Sequence, residues 1–267
     1  RGLGDVYKRQ VQATPGRRMR DTAIYFTHMV LRAPAWPFYR SHRPGSIVME
    51  GIGWLLKHRA TPRNRRETAK ALDRMAQWRA QGGRVMLLPL QLSSDYQIRA
   101  HAPFATMQQA AARIMADFAA HAPADTALLV KEHPLDATPG GWTGWITREA
   151  RALGQEHRII PIPGGDLRAL CEDCAGLVTV NSTSATFALA AGVPVAALGH
   201  AVYALPGLTH QGALADFWQN PAPPDPALWD AFTRLLHHRC LIRGGLASQE
   251  ALAMAVENAA RRLLGEE

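Results

Sequence analysis

The chain has 267 residues, 47% of them apolar, and a formal net charge of +8 at neutral pH. That length suits one large domain or two small ones around a sizeable core, and the composition is ordinary for a globular protein. No run of eighteen uncharged apolar residues occurs, so nothing reads as a membrane span, and the first residues lack the order of a secretory signal.

The charge is uneven. Residues 1–80 hold 17 Lys/Arg against 5 Asp/Glu, and residues 81–267 hold 13 against 17. A basic front half can meet nucleic acid, an anionic membrane face or an anionic substrate. Zinc-finger spacing, an aromatic-studded RNA-binding strand and a basic heptad array are all missing, which makes nucleic acid the lesser reading. Cys171 and Cys174 form a C-x-x-C with no second ligand pair at zinc spacing, and Cys240 stands apart. The expectation is reduced cysteines in a cytosolic compartment and no metal.

In chain order, the first twenty residues show no periodicity. Ala23–Val30 (AIYFTHMV) reads as a strand, Leu31–Gly45 as a Pro- and Arg-rich stretch, and Ile47–Arg59 mixes strand and helix signals. Arg63–Ala80 reads as a surface helix closed by Gly82-Gly83. From there the pattern is regular. Strands are expected at Arg84–Gln91, Thr126–Lys131, Arg158–Ile162, Gly176–Asn181 and Pro194–Gly199. Helices are expected at Phe104–His121, Trp142–Leu153, Leu167–Cys174 and Ser184–Ala191. Pro89 argues that the first strand is not paired evenly on both sides. Short apolar strands alternating with helices imply βαβ units and a parallel sheet. A Pro-rich linker at 220–226 and two helices, Ala227–His238 and Ser248–Leu264, complete the chain.

Open parallel sheets bind ligands beyond the carboxyl ends of their strands, and four such ends carry polar residues here. Asp95 closes Gln91-Leu-Ser-Ser-Asp, where a carboxylate can act as base or nucleophile, or simply cap the next turn. Lys131-Glu132-His133-Pro134 ends the second strand. His133 can donate to a phosphate or a leaving oxygen, and Lys131 supplies a point charge. Asn181-Ser182-Thr183-Ser184 brings hydroxyls and free backbone N–H groups to a helix start, a place for phosphate or carboxylate, with plain N-capping as the alternative. Gly199 lets the backbone approach a ligand and Tyr203 can stack or hydrogen-bond. Asp166, after Gly164-Gly165, reads as an N-cap that can also line the pocket edge. There is no G-x-G-x-x-G after the first strand, no P-loop and no G-x-S-x-G elbow.

The ordered set QLSSD (91–95), KEHP (131–134), VNSTSATFALAAGVPVAALG (180–199) and AVYALPGLT (201–209) resembles the capsule polysaccharide biosynthesis and export proteins, whose members include β-Kdo transferases. The resemblance covers residues 84–250. It implies an α/β, GT-B-like fold in three parts: a partial N-terminal domain at 1–80, a Rossmann-like nucleotide-sugar domain at 81–225, and C-terminal helices at 226–267. It further implies a glycosyltransferase using CMP-Kdo as donor, with no tightly bound cofactor. His133 and Pro134 would hold the cytidine nucleotide, with Lys131 at its charge and Glu132 beside the ribose or orienting His133. Ser182 and Thr183 would meet the phosphate, with Asn181, Ser184, Gly199 and Tyr203 completing the site and Asp95 serving catalysis. The acceptor would be an anionic lipid or glycolipid at the cytoplasmic face of the inner membrane, in contact with capsule assembly proteins. Rival readings are a UDP-sugar epimerase and a non-catalytic assembly or export partner. Ser93 and Ser94 before Asp95, and Arg243-Gly-Gly-Leu246 near the end, depart from the family's pattern.

Overall fold

The structure, a computed structural model, describes residues 15–36, 38, 47–92, 95–136, 141–245 and 248–265. Its two compact units are residues 43–229 and residues 1–42 together with 230–267.

The larger unit opens with helices α2 (Ile47–Arg59) and α3 (Thr61–Ala80). Gly82 at φ +82° turns the chain out of α3, a left-handed conformation that a side chain resists. Five strands follow: β1 (Arg84–Pro89), β2 (Thr126–Lys131), β3 (Ile159–Ile162), β4 (Gly176–Thr179) and β5 (Val195–Ala197). All pair in parallel, in the order β3-β2-β1-β4-β5. This is the expected Rossmann-type sheet. Pro89 sits where its missing N–H does no harm: β1 pairs with β2 along all six residues but with β4 only at Met86 and Leu87.

The helices between the strands are α4 (Tyr96–His101), α5 (Met107–His121), α6 (Thr143–Ala152), α7 (Leu167–Asp173) and α8 (Ala185–Ala190), with α9 (Leu214–Gln219) after β5. The strands are buried on both faces, so alternate side chains serve two cores. Met86, Leu88, Leu128, Val130 and Val178 meet the apolar stripe of α5, whose buried residues Met107, Ala110, Ala111, Ile114, Met115 and Phe118 recur at helical spacing. Phe118 is the centre of that layer. Trp218 meets its ring edge to face at 5.3 Å between centroids. The buried Arg158 guanidinium lies 4.7 Å from its centroid and donates to the carbonyls of Ala122 and Pro123.

Two short helices, α4 and α9, were not expected; six residues each carry too little periodicity to register. A larger correction concerns Ala23–Val30. Its β-branched and aromatic content suggested a strand, but it lies inside helix α1 (Pro15–Arg32), in the second unit. Phe26 and Met29, its less exposed residues, stand three apart, as a helix requires. The chain then runs through α10 (Pro226–Leu235), a π-helical turn (Leu236–Cys240) and α11 (Gln249–Leu264). Ser248 caps α11, its hydroxyl accepting from the Ala251 N–H at 3.1 Å. Among the described residues no helix is long and apolar enough to cross a membrane.

Replacing Phe118 by Ala removes a fully buried ring together with its indole and guanidinium contacts. Urea denaturation is expected to show a loss of about 3–5 kcal/mol; a loss below about 1 kcal/mol contradicts this layer.

Candidate functional site

The strand order reverses between β1 and β4, the point at whose carboxyl ends open parallel sheets bind ligands. Gln91, after β1, and Asn181, after β4, are both buried there. The Gln91 amide donates to Asn181 Oδ1 at 2.9 Å, and the Asn181 backbone N–H donates to Gln91 Oε1 at 3.1 Å. Asn181 Nδ2 donates onward to the carbonyls of Gln97 and His101 at 3.0 and 3.4 Å. Asn181 is therefore occupied as a clamp between β4 and α4. Gln91 was not among the expected site residues; the sign of it was an amide directly following the buried run Leu87–Leu90.

Asp95 stands at the rim, half-buried. It caps α4, Oδ1 accepting from the Gln97 N–H at 3.0 Å, and Oδ2 accepts from the Gln91 amide at 3.3 Å. The capping reading is thus observed. Ser93 and Ser94 lie outside the described residues.

The end of β2 is more heavily used than its sequence suggests. Lys131 is buried, on the sheet face that carries Ala127 and Leu129, and donates to the Glu132 carbonyl at 3.1 Å. Burial lowers its pKa, and the Glu132 carboxylate opposes this. Glu132 Oε1 accepts from the N–H and the hydroxyl of Thr143, at 2.6 and 2.7 Å, which ties the start of α6. That carboxylate is engaged in the fold. His133 is half-exposed, and Pro134, beside it, is exposed. The Leu135 N–H donates to His133 Nδ1 at 3.1 Å, which assigns Nδ1 as acceptor and leaves the proton of the neutral ring on Nε2. Burial pushes the imidazole pKa below its ordinary value. Lys57 and Lys131 push the same way, while Asp136 and Asp95 oppose them. These influences together favour the neutral ring, with one N–H to give, and charges from three other elements act on it. Lys57, on α2, was not anticipated.

The β4 loop spends most of its groups internally. The hydroxyls of Ser182 and Ser184 bond each other at 2.8 Å. The Ser184 N–H donates to Ser182 Oγ, and the Ala185 and Thr186 N–H groups donate to the Ser182 and Thr183 carbonyls. The expected free N–H groups at this helix start are therefore engaged at three positions, and α8 is only six residues long. Thr183 is exposed. Tyr203 is buried and its hydroxyl donates to the Ser182 carbonyl at 2.6 Å, a strut rather than a stacking surface. Burial raises its pKa. Gly199 is needed for packing: a Cβ there would lie 3.0 Å from the His101 carbonyl oxygen and 3.1 Å from Val180. Asp166 is the N-cap of α7, accepting from the Arg168 N–H at 2.8 Å.

Among the described residues no group of three metal-ligating side chains occurs. Cys171 and Cys174 are buried free thiols whose pKa values burial pushes up to about 12. A groove of about 420 Å³ lies elsewhere, between the end of β5 and α5, lined by Phe104, Arg113, Leu198 and His210 among others.

A five-stranded, all-parallel sheet in Rossmann order, with helices between its strands, defines an α/β domain. The chain belongs to the capsule polysaccharide biosynthesis protein family, whose model matches residues 8–246. It is 36% identical over 172 residues to the capsule polysaccharide modification protein LipB of Neisseria meningitidis, covering 62% of this chain and 40% of that protein. It is 30% identical over 197 residues to the capsule polysaccharide export protein KpsS of Escherichia coli, covering 74% of this chain and 50% of that protein. The chain spans half or less of the length of these relatives. A solved structure of Thermosulfurimonas dismutans KpsC, a β-Kdo 2,7 transferase, aligns with 69% of this chain and 50% of its own at 17% identity and a TM-score of 0.37.

The thiols offer a check on the packing beneath the β4 loop. In native protein near pH 8, a maleimide is expected to label the exposed Cys240 and to spare Cys171 and Cys174 until the chain unfolds. Rapid labelling of all three without denaturant contradicts their burial.

Proposed function

We propose that this chain forms the donor side of a glycosyltransferase that moves Kdo from CMP-Kdo to a lipid or saccharide acceptor in capsule polysaccharide biosynthesis. The observation that supports this reading is that Asp95 and His133 follow the adjacent parallel strands β1 and β2 on the side of the sheet where their carboxyl ends lie.

In the proposed transfer the bond between the sugar's anomeric carbon and the phosphate oxygen breaks. Its electron pair leaves with CMP, the acceptor oxygen forms the new bond, and a base takes the acceptor's proton. The His133 Nε2–H donates to a phosphate oxygen and steadies the charge that grows there. Asp95 stabilises positive charge at the anomeric carbon or attacks it as a nucleophile. The exposed Thr183 hydroxyl is the remaining candidate for the phosphate on the β4 loop. A second domain, in the GT-B arrangement, would bring the acceptor to the donor. Arg63, Arg65 and Arg66 are exposed on α3 and suit an anionic acceptor or the anionic inner-membrane face on the cytoplasmic side, where capsule assembly proteins would meet it.

A second reading, a non-catalytic assembly partner, draws on Asp95 being engaged as a helix cap. Asn caps as well as Asp, so Asp95→Asn keeps the cap and removes the charge. Turnover of CMP-Kdo is expected to be lost in this variant while CMP binding persists; full turnover removes Asp95 from the reaction, and capsule formation that needs the chain but is left intact by the variant favours the non-catalytic partner. For the donor itself, calorimetric titration with CMP, UDP and NAD is expected to rank CMP first. His133→Ala should then weaken CMP by about tenfold or more, since a hydrogen bond to a charged group contributes about 1.5–3 kcal/mol. Preference for UDP, or unchanged CMP binding by the variant, removes this assignment.

A further inference from the structure

Helix α2 is turned the unusual way round. Leu55 and Leu56 are 51% and 46% exposed, while Lys57 beside them is half-buried. A lysine ordinarily carries its ammonium outward to water. Here Nζ reaches inward to two backbone carbonyls, donating to Asp136 at 2.5 Å and to His133 at 3.3 Å. Those carbonyls belong to the two ends of one tight turn. The Asp136 N–H donates to the His133 carbonyl at 3.1 Å, with Pro134 as the second residue, a position for which its fixed φ is suited. On the far side the turn is fastened by the Trp142 indole, which donates to Asp136 Oδ2 at 3.0 Å.

We propose that Lys57 is a positioning residue for His133: its ammonium staples the turn that carries the imidazole and so fixes where the Nε2–H points. The idea rests on the reading of His133 as the ligand-facing donor. The geometry is specific. The Leu135 N–H already holds Nδ1 from within the turn, so the ring's direction follows the turn's, and the turn's follows Lys57. The charge acts in the same sense as the geometry. Four charged groups face the imidazole: Asp136 in its own turn, Lys57 from α2, Lys131 from the end of β2, and Asp95 from the loop after β1. The two lysines favour the neutral ring, alongside burial, and the two aspartates oppose. Loss of the Lys57 charge therefore raises the His133 pKa, and loosening of the turn, which admits water, raises it further.

The test follows the His133 ring by NMR across a pH series in wild type and in Lys57→Arg, Lys57→Gln and Lys57→Met, with CMP as the binding probe. In Lys57→Gln, which keeps an uncharged donor one bond shorter, the titration midpoint is expected to move up. In Lys57→Met it moves up as well, and CMP affinity falls by about tenfold, the scale of one charged hydrogen bond. Lys57→Arg is expected to hold the midpoint near that of wild type. A ring that titrates alike in wild type, Lys57→Gln and Lys57→Met overturns the proposal. Should Lys57→Met fail to fold, Lys57→Gln makes the same comparison. If wild type binds no CMP, the donor reading falls, and the titration by itself still decides the role of Lys57.

Discussion

Where β1 and β4 lie side by side, the strand order reverses, and two side-chain amides join the loops that leave these strands. Gln91 and Asn181 exchange hydrogen bonds between the two loops, and Asn181 reaches on to the carbonyls of α4. Each amide satisfies the other in a buried place where an unpaired polar group costs about 1–3 kcal/mol. The orientation of Asp95 depends on this pair, since Gln91 donates to one of its oxygens and α4, which it caps, is fastened by the other amide.

The same economy governs the end of β2. Three successive polar residues there divide their tasks. Lys131 turns beneath the loop, Glu132 ties α6 through Thr143, and His133 is left on the rim with Nδ1 already engaged. On the proposed reading of His133 as donor, such a site is preorganised, and little ordering remains to be done on binding. Lys57 joins a helix distant in sequence to that arrangement.

The parallel sheet was legible because its strands are short apolar runs cut off by polar residues. β2 falls at the expected bounds, Thr126–Lys131, for that reason. The α1 segment misled because Ile, Tyr, Phe and Thr favour strands in isolation, whereas neighbouring turns of helix decided the matter. In the site, residue types at strand ends revealed where polar groups gather, but not which were already spent. Asn181, Glu132 and Tyr203 are polar and well placed, yet their partners are protein atoms. Lys57 could not be anticipated, because its partners are two carbonyls some eighty residues away, in a turn whose shape only the fold defines.

The proposed donor role of His133 requires a neutral ring, with its proton on Nε2 and that proton turned to the ligand. Long-range nitrogen-15 NMR of the imidazole reads this directly. Near neutral pH, the expected spectrum has an unprotonated, hydrogen-bonded Nδ1 and a protonated Nε2, and added CMP shifts the Nε2 resonance more than that of Nδ1. A proton on Nδ1, or an Nε2 resonance indifferent to saturating CMP, contradicts it.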